Sequence, residues 1–318
     1  MFKWLANAVI LMIALMALAG CGGSGGDDSG YTGKTSAAAL SQSNAGEMST
    51  AVLDGVATIS TLGGIAKATA DSGGAYNAMP LRSLSDILVG SVVRSLSKPV
   101  SAKTVADAVS STENGYYGSF SYSGTFDSAT GAFAVTITFD NYQETADSLV
   151  IQGAVSVSGT VQNSTRNANF YRLTFVIDDL WVGGLYYHDS GPFLHARGKI
   201  MTEDINGGEK TTSASLVFTE VATRKSYWYK DFVMASSPVM SPDGFRGFRS
   251  TMNGTFYHPV HGRVAVTTPE PLSVNVYGDP MYILLTGDNG SKIRLTYVDT
   301  EYTVEVDADG MGNYVSLP

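Results

Sequence analysis

The sequence predicts a mainly β protein, built as a large curved antiparallel meander that is an open sheet or barrel-like, with an α-helical N-terminal segment. From about residue 116 onward, apolar and polar residues alternate with period two, which is typical of antiparallel strands that have one face in water. Turn sequences rich in Asp, Asn and Gly separate these stretches. A β-sandwich is the alternative, because its strands show the same alternation.

The composition excludes several functional classes. The chain has 318 residues, with 20 Lys and Arg against 29 Asp and Glu, so its formal net charge is −9. This acidic balance argues against a nucleic-acid partner, because phosphates are bound by basic surfaces. A single cysteine excludes a disulfide framework and a cysteine-based zinc or iron–sulfur site. With 44% hydrophobic residues, the chain can bury a large core.

The first residues match a secretory signal peptide. Lys3 gives a short positive region, and residues 8–19 form an unbroken apolar run. This run is too short to cross a bilayer, which takes about 20 apolar residues. It has the length of the apolar region of an export signal instead.

The apolar run ends in Leu18-Ala19-Gly20-Cys21, which resembles the lipobox of bacterial lipoproteins. The resemblance implies a signal peptide at 1–20, cleavage before Cys21, a diacylglycerol on the Cys21 sulfur and an acylated new amino terminus. Several acyl chains hold a protein firmly to a bilayer. Lipoproteins of this class that stay in the inner membrane carry Asp after the cysteine. Gly22 stands there, which implies a lipid anchor in the outer membrane, at its periplasmic face or at the cell surface.

Between the cysteine and the sheet, the sequence predicts a linker and a helical segment. Residues 21–35 are rich in Gly and Ser and have no hydrophobic pattern, which is typical of a flexible tether. In residues 36–112, apolar residues recur at helical spacing. Two helical faces are expected, one at Met48, Val52, Val56 and Ile59 and one at Leu84, Leu88, Val92 and Leu96.

The remaining chain, 113–318, is predicted to be an antiparallel β domain of about 12 to 14 strands. Residues 149–161 keep their alternation for longer than a usual strand of about 5–6 residues, which favours a strongly curved sheet. One clear strand alternates Phe133, Val135, Ile137 and Phe139 with small or polar residues. Turns are expected at 127–131, 206–207 and 288–290.

The C-terminal end contains the best candidate for a metal site. Asp307 and Asp309 occupy positions 1 and 3 of a loop with Gly312 at position 6, which resembles the start of an EF-hand-like calcium loop. With Asn313 they would supply hard oxygen ligands. Met311 at position 5 departs from the pattern, as does the lack of a glutamate at position 12. These departures favour a plain Asp/Gly turn, and weak calcium binding through Asp307, Asp309 and Asn313 is the alternative hypothesis.

No residue pattern in the sequence indicates catalysis. Serine-nucleophile patterns occur without the companion residues that would activate them. The histidines lack the spacing of a metalloprotease helix, and we expect them on turns or on the surface: His188, His195, His258 and His261. The chain is therefore predicted not to be an enzyme, with no catalytic residue and no cofactor, and weak calcium binding is kept as a hypothesis.

Aromatic residues cluster at two places in the β domain. One group comprises Tyr227, Trp228, Tyr229 and Phe232, and the segment 245–249 adds two phenylalanines and two arginines. Aromatic rings interleaved with cations on a sheet face could bind glycan or lipid. Packing of the rings across neighbouring strands in the core is the alternative, and the one that we expect.

These features predict a lipid-anchored cell-envelope protein with a non-enzymatic structural or binding role. The lipobox and the terminal strand and turn at 304–310 make the chain resemble β-rich envelope lipoproteins of Gram-negative bacteria. One alternative is a periplasmic carrier of an apolar, lipid-like ligand, since a curved sheet near the membrane suits such a ligand. Another is a surface adhesin or envelope-assembly subunit. The expected partners are the membrane, through the N-terminal lipid, and an apolar ligand or an envelope protein.

Overall fold

A computed structural model shows how the chain folds around one antiparallel sheet. Cys21 with its lipobox, the expected helix at 84–96 and the expected turn at 206–207 lie outside the residues that it describes. Those residues are 30–62, 107–127, 129–143, 150–163, 169–183, 192–204, 209–240, 246–274, 281–298 and 301–317.

Fifteen strands are described, and many of them are long. Their bounds are β1 Asp107–Asn114, β2 Tyr117–Phe126, β3 Ala132–Gln143, β4 Val150–Asn163, β5 Asn169–Gly183, β6 Pro192–Asp204, β7 Lys210–Glu220, β8 Ser226–Met240, β9 Arg246–His258, β10 Gly262–Thr267, β11 Leu272–Val274, β12 Met281–Thr286, β13 Lys292–Val298, β14 Glu301–Asp307 and β15 Val315–Ser316. β4 has 14 residues, and β5 and β8 have 15 each, so the prediction of long strands is confirmed.

The strands follow one another through the sheet as a meander. Each strand from β1 to β9 pairs antiparallel with the next along the chain, and the order continues through β10, β12, β13, β14 and β15. The short strand β11 pairs with β9 beyond the end of β10. Within the described chain, β1 pairs only with β2 and β15 only with β14, so the sheet is open and is not closed into a barrel. The predicted antiparallel meander is confirmed, in its open form.

The alternation in the sequence corresponds to two different faces of the sheet. On β3, Phe133, Val135, Ile137 and Phe139 are buried, while the residues between them are exposed. The same inner face continues from β2 to β14 as one apolar cluster. Ser, Thr and charged residues dominate the opposite, outer face. One face therefore packs in the core and the other contacts water, as expected for an antiparallel sheet.

Register shifts bend the sheet at several strands. Ile177 and Leu180 on β5 are separated by an odd number of positions, yet both are buried on the inner face because a bulge lies between them. A similar shift occurs on β8 between Lys230 and Val233, where Asp231 has a positive φ of 50°. Bulges bend and twist a strand, so they contribute the predicted curvature of this long sheet.

One α-helix is described, α1, which comprises Gln42–Leu62 and lies against the inner face. Ala45, Met48 and Val52 are buried in the core, and the last two belong to the helical face predicted from the sequence. The main contacts of α1 are with β7 and β9 in one part of the sheet and with β13 and β14 in another. The helix therefore connects two parts of the curved sheet across the core.

A short segment precedes α1, and Tyr31 at its start packs on the outer face. Tyr31 lies against Trp228 and Tyr257, with its ring centroid 5.7 Å from each of theirs. The residues that follow form a parallel bridge to the start of β10. Residues 31–35, which were expected to belong to the tether at 21–35, therefore lie against the sheet, since the Tyr31 ring buries apolar surface there.

The sheet also begins earlier than the sequence suggested. β1 starts at Asp107, whereas the β domain was expected at 113–318 and the helical segment was expected to continue to 112. The strand pairs with β2 in regular register along its whole length. Its sequence contains one large apolar residue, Val109, so the alternation that marks the other strands is missing.

Candidate functional site

The predicted calcium loop directly follows β14. Asp307, the last residue of this strand, is buried, while Asp309 is exposed. Oδ2 of Asp307 accepts the backbone N–H of Gly312 at 2.9 Å, and Oδ1 of Asp309 accepts the N–H of Met311 at 3.0 Å. The two carboxylates thus close the loop onto its own backbone.

The Asp307 carboxyl is held in its ionised form. Burial opposes ionisation, but the hydrogen bond from the Gly312 amide and the charge of Lys292 outweigh it, and the pKa of Asp307 lies below its ordinary value. Its second oxygen, Oδ1, has no hydrogen-bond partner among the described residues. Asn313, the third predicted ligand, is exposed. The loop brings Asp307 and Asp309 together, and calcium binding there remains a prediction.

The aromatic residues of β8 pack across neighbouring strands. Tyr229 and Phe232 lie in the core of the inner face, because the β8 bulge places both on that side. Trp228 lies on the outer face and stacks on Tyr257, with 4.5 Å between ring centroids. The rings of Trp228, Tyr229 and Phe232 therefore pack against neighbouring side chains of the sheet. The side chains of Phe245 and Phe248, in the segment 245–249, are not among those that the structure describes.

A cluster that the sequence analysis missed lies near the start of α1. Glu47 of α1 meets His258, the last residue of β9, and His261 in the following turn. Oε2 of Glu47 lies 2.9 Å from Nε2 of His261, and Oε1 of Glu47 lies 3.4 Å from Nε2 of His258. The two imidazole rings stack with their centroids 4.6 Å apart. We call these three residues the histidine cluster.

His258 is the buried member of the histidine cluster. Burial, and after it the charge of the nearby His261, lowers the pKa of His258 to about 4, so the ring is neutral at neutral pH. Its Nδ1 accepts the backbone N–H groups of Val260 and His261 at 3.3 and 3.2 Å, which leaves the ring proton on Nε2. That buried Nε2 has no hydrogen-bond partner within the described part of the chain.

Glu47 is ionised and interacts with several partners. Its hydrogen bonds with His261 and with Lys225 outweigh its partial burial, and the pKa of Glu47 is lowered. The Lys225 ammonium, in the turn between β7 and β8, lies 3.2 Å from Oε1. The ligand atoms of the histidine cluster all lie within 4.8 Å of one another, which is close enough to contact a single metal ion.

His195 on β6 lies apart from this cluster. Its Nε2 is 2.6 Å from Oδ1 of Asp179 on β5, and its ring stacks on Trp181 with 4.4 Å between centroids. Because the Asp179 side chain is 64% exposed, this pair adds little to stability. His188 lies outside the described residues.

The predicted lipidation site, Cys21, also lies outside the described residues, so the anchor remains a prediction. In the part of the chain that is described, no helix combines the length and the apolar character needed to cross a membrane.

Comparison of the chain with protein-family models, with curated proteins and with solved structures finds no match.

Proposed function

We propose that the protein is a lipid-anchored cell-envelope protein with a non-enzymatic binding role, and that its ligand is an apolar, lipid-like molecule held at the inner face of the sheet. The observation that supports this role is the extent of the inner face. Apolar side chains cover it continuously from β2 to β14, whereas α1 makes its main contacts with only four strands.

The inner face stays apolar beyond the strands that the helix mainly contacts. Phe120 on β2, Phe139 on β3 and Phe175 on β5 belong to these further strands. These side chains are buried in the described chain, so an acyl chain held at this face would insert into the apolar core, where each methylene group transferred from water contributes about 0.8 kcal/mol. A long acyl chain therefore matches the chemistry of the inner face, while the outer face offers mainly polar groups.

The lipid anchor is the second part of the proposal. The lipobox that ends in Cys21 supports acylation, and Gly22 after it supports retention in the outer membrane. An anchor of several acyl chains keeps the protein at the bilayer. The proposed ligand and the surface that could supply it are then close together.

Photo-cross-linking tests where an apolar ligand binds. The purified full-length protein, in mild detergent, is mixed with a fatty acid that carries a diazirine and is irradiated, and the modified peptides are identified by mass spectrometry. We expect adducts on inner-face residues of β2 to β6, in excess of those in a sample that is unfolded before irradiation.

The other candidate roles would give different results. Adducts confined to outer-face residues such as Val176 and Met201 would indicate non-specific contact with detergent or membrane. No adducts above background would contradict the carrier role, and would favour an adhesin or an assembly subunit that works through protein contacts.

A further inference from the structure

The histidine cluster joins two distant parts of the chain, the start of α1 and the end of β9. Glu47 lies near the start of α1, and His261 lies 214 residues further along the chain. His258 ends β9, and His261 lies in the turn that leads to β10. The cluster therefore exists only because the helix is seated on the sheet.

We propose that the histidine cluster binds a divalent transition metal ion of the zinc type. Its donors are two imidazole nitrogens and one carboxylate oxygen, which zinc accepts readily. Calcium and magnesium prefer oxygen ligands throughout, so they fit this donor set poorly. This site is separate from the predicted calcium loop at Asp307 and is independent of the proposed apolar ligand.

The strongest support for a metal site is the buried nitrogen of His258. The residue is fully buried, and its Nε2 faces Glu47 without a hydrogen-bond partner in the described part of the chain. Buried polar atoms of folded proteins almost always have a partner, and an exception needs an explanation. A metal ion between His258, His261 and Glu47 would supply that partner.

The cluster is also accessible to an ion from solvent. The side chain of Glu47 is 48% exposed and that of His261 is 21% exposed, although His258 is enclosed. Three protein ligands leave the fourth tetrahedral position of zinc for a water molecule. Entry of the ion and this water would both come from the side of Glu47 and His261 that solvent reaches.

Lys225 opposes metal binding and provides a test of Glu47 as a ligand. Its ammonium group lies 3.2 Å from Oε1 of Glu47, where it would be repelled by a divalent cation. Lys225 therefore lowers the affinity of this site for zinc. We expect Lys225→Met to tighten zinc binding by about threefold, since the repulsion at this partly exposed position is screened.

The ring proton of His258 must move when zinc binds. Nδ1 now accepts two backbone amides at 3.2 and 3.3 Å, both longer than the usual hydrogen bond of about 2.9–3.0 Å. Coordination through Nε2 transfers the proton from Nε2 to Nδ1, which removes the acceptor of these amides. We therefore expect the NMR signals of the Val260 and His261 amides to shift on addition of zinc.

Zinc titration of the full-length acylated protein tests the site directly. The protein is purified without a polyhistidine tag, freed of metal with EDTA and studied in detergent by isothermal titration calorimetry and by thermal unfolding. We expect one zinc ion per chain and a higher melting temperature with zinc, because an ion that binds only the folded state stabilises it. Calcium at the same concentration should not compete.

Two histidine variants and one glutamate variant separate the site from general zinc binding. His261→Ala should weaken zinc affinity by more than about 10-fold, the least that loss of a metal's supporting residues usually costs. His195→Ala removes a histidine outside the cluster and should bind like the wild type. Glu47→Gln keeps the shape of the side chain and should also weaken binding, so a folding defect in His261→Ala would leave the test intact.

The proposal fails if the wild-type protein binds no zinc. It also fails if His261→Ala and Glu47→Gln bind zinc as tightly as the wild type, or if His195→Ala loses as much affinity as they do. Tighter binding by Lys225→Met would support the site strongly, since general damage to the structure cannot produce it.

Discussion

The hydroxyl group of Tyr229 on β8 donates a hydrogen bond to the backbone carbonyl of Ala51 on α1, with 2.6 Å between the two oxygens. The ring of Tyr229 is buried among the aromatic residues of the inner face. The bond therefore attaches the helix to the centre of the apolar surface that it covers. Glu47 attaches the same helix to the turns that follow β7 and β9.

Removal of the Tyr229 hydroxyl should loosen the helix. In Tyr229→Phe the ring keeps its packing but the bond to Ala51 is lost, and we expect the free energy of unfolding to fall by about 1 kcal/mol. Urea unfolding, followed by circular dichroism, measures this change. Tyr302→Phe is the control, since Tyr302 is on the surface of β14 and should change stability by less than about 0.5 kcal/mol. Equal effects in both variants would contradict this role of the hydroxyl.

Two glycine-to-alanine substitutions should have opposite effects. A Cβ added at Gly254 on β9 would lie 2.6 Å from Cα of Phe232, at the bulge of β8. Because backbone cannot move aside cheaply, Gly254→Ala should destabilise the fold by about 2 kcal/mol.

Gly46 is the matched position, since it is on α1 and an added Cβ would meet no atom within 4 Å. Gly46→Ala should raise the free energy of unfolding by about 0.5–1 kcal/mol, because alanine favours the helix. The same urea measurements apply. A stable Gly254→Ala protein would show that β8 and β9 do not approach as closely as described.

The residue after Cys21 should determine the membrane in which the protein is found. The lipobox resemblance implies that Gly22→Asp keeps the acylated protein in the inner membrane, whereas the wild type reaches the outer membrane. Membranes separated on a sucrose gradient and probed with an antibody show the distribution. Gly26→Asp adds the same charge further along the chain and should leave the protein in the outer membrane. If the two variants distribute alike, the sorting prediction is wrong.

Millimolar calcium should raise the melting temperature of the wild type if the loop at Asp307 binds this ion. Asp309→Asn should abolish the increase, because it removes one of the two carboxylates that the loop brings together. Asp127→Asn is the control, since Asp127 closes another turn in a similar way, with Oδ1 accepting the Ala129 amide at 2.9 Å. A melting temperature that calcium leaves unchanged in the wild type would indicate a plain turn.

The sequence predicted the faces of the sheet well, because the side chains of a strand point alternately to its two sides. Phe133 to Phe139 on β3 are the clearest case, with every second residue buried. The start of β1 was missed because its polar sequence contains too few apolar residues to show this alternation. The packing of Tyr31 was missed because one aromatic residue in a Gly-rich segment has no pattern of its own.

The histidine cluster could not be predicted from spacing alone. His258 and His261 on one short turn were visible as a pair, but their partner Glu47 is far away in the sequence. Only the docking of α1 on the sheet brings the carboxylate to the two rings. The burial of His258 also depends on this docking, and this burial is the reason why an Nε2 atom without a hydrogen-bond partner needs an explanation.

Native mass spectrometry of the full-length protein, released from bacterial envelopes in mild detergent, tests most directly whether the chain binds a lipid-like ligand. The account predicts a species heavier than the acylated chain by the mass of a lipid. This additional mass should be lost on denaturation, while the acyl groups on Cys21 remain attached. A native mass equal to that of the acylated chain alone would contradict the proposed role.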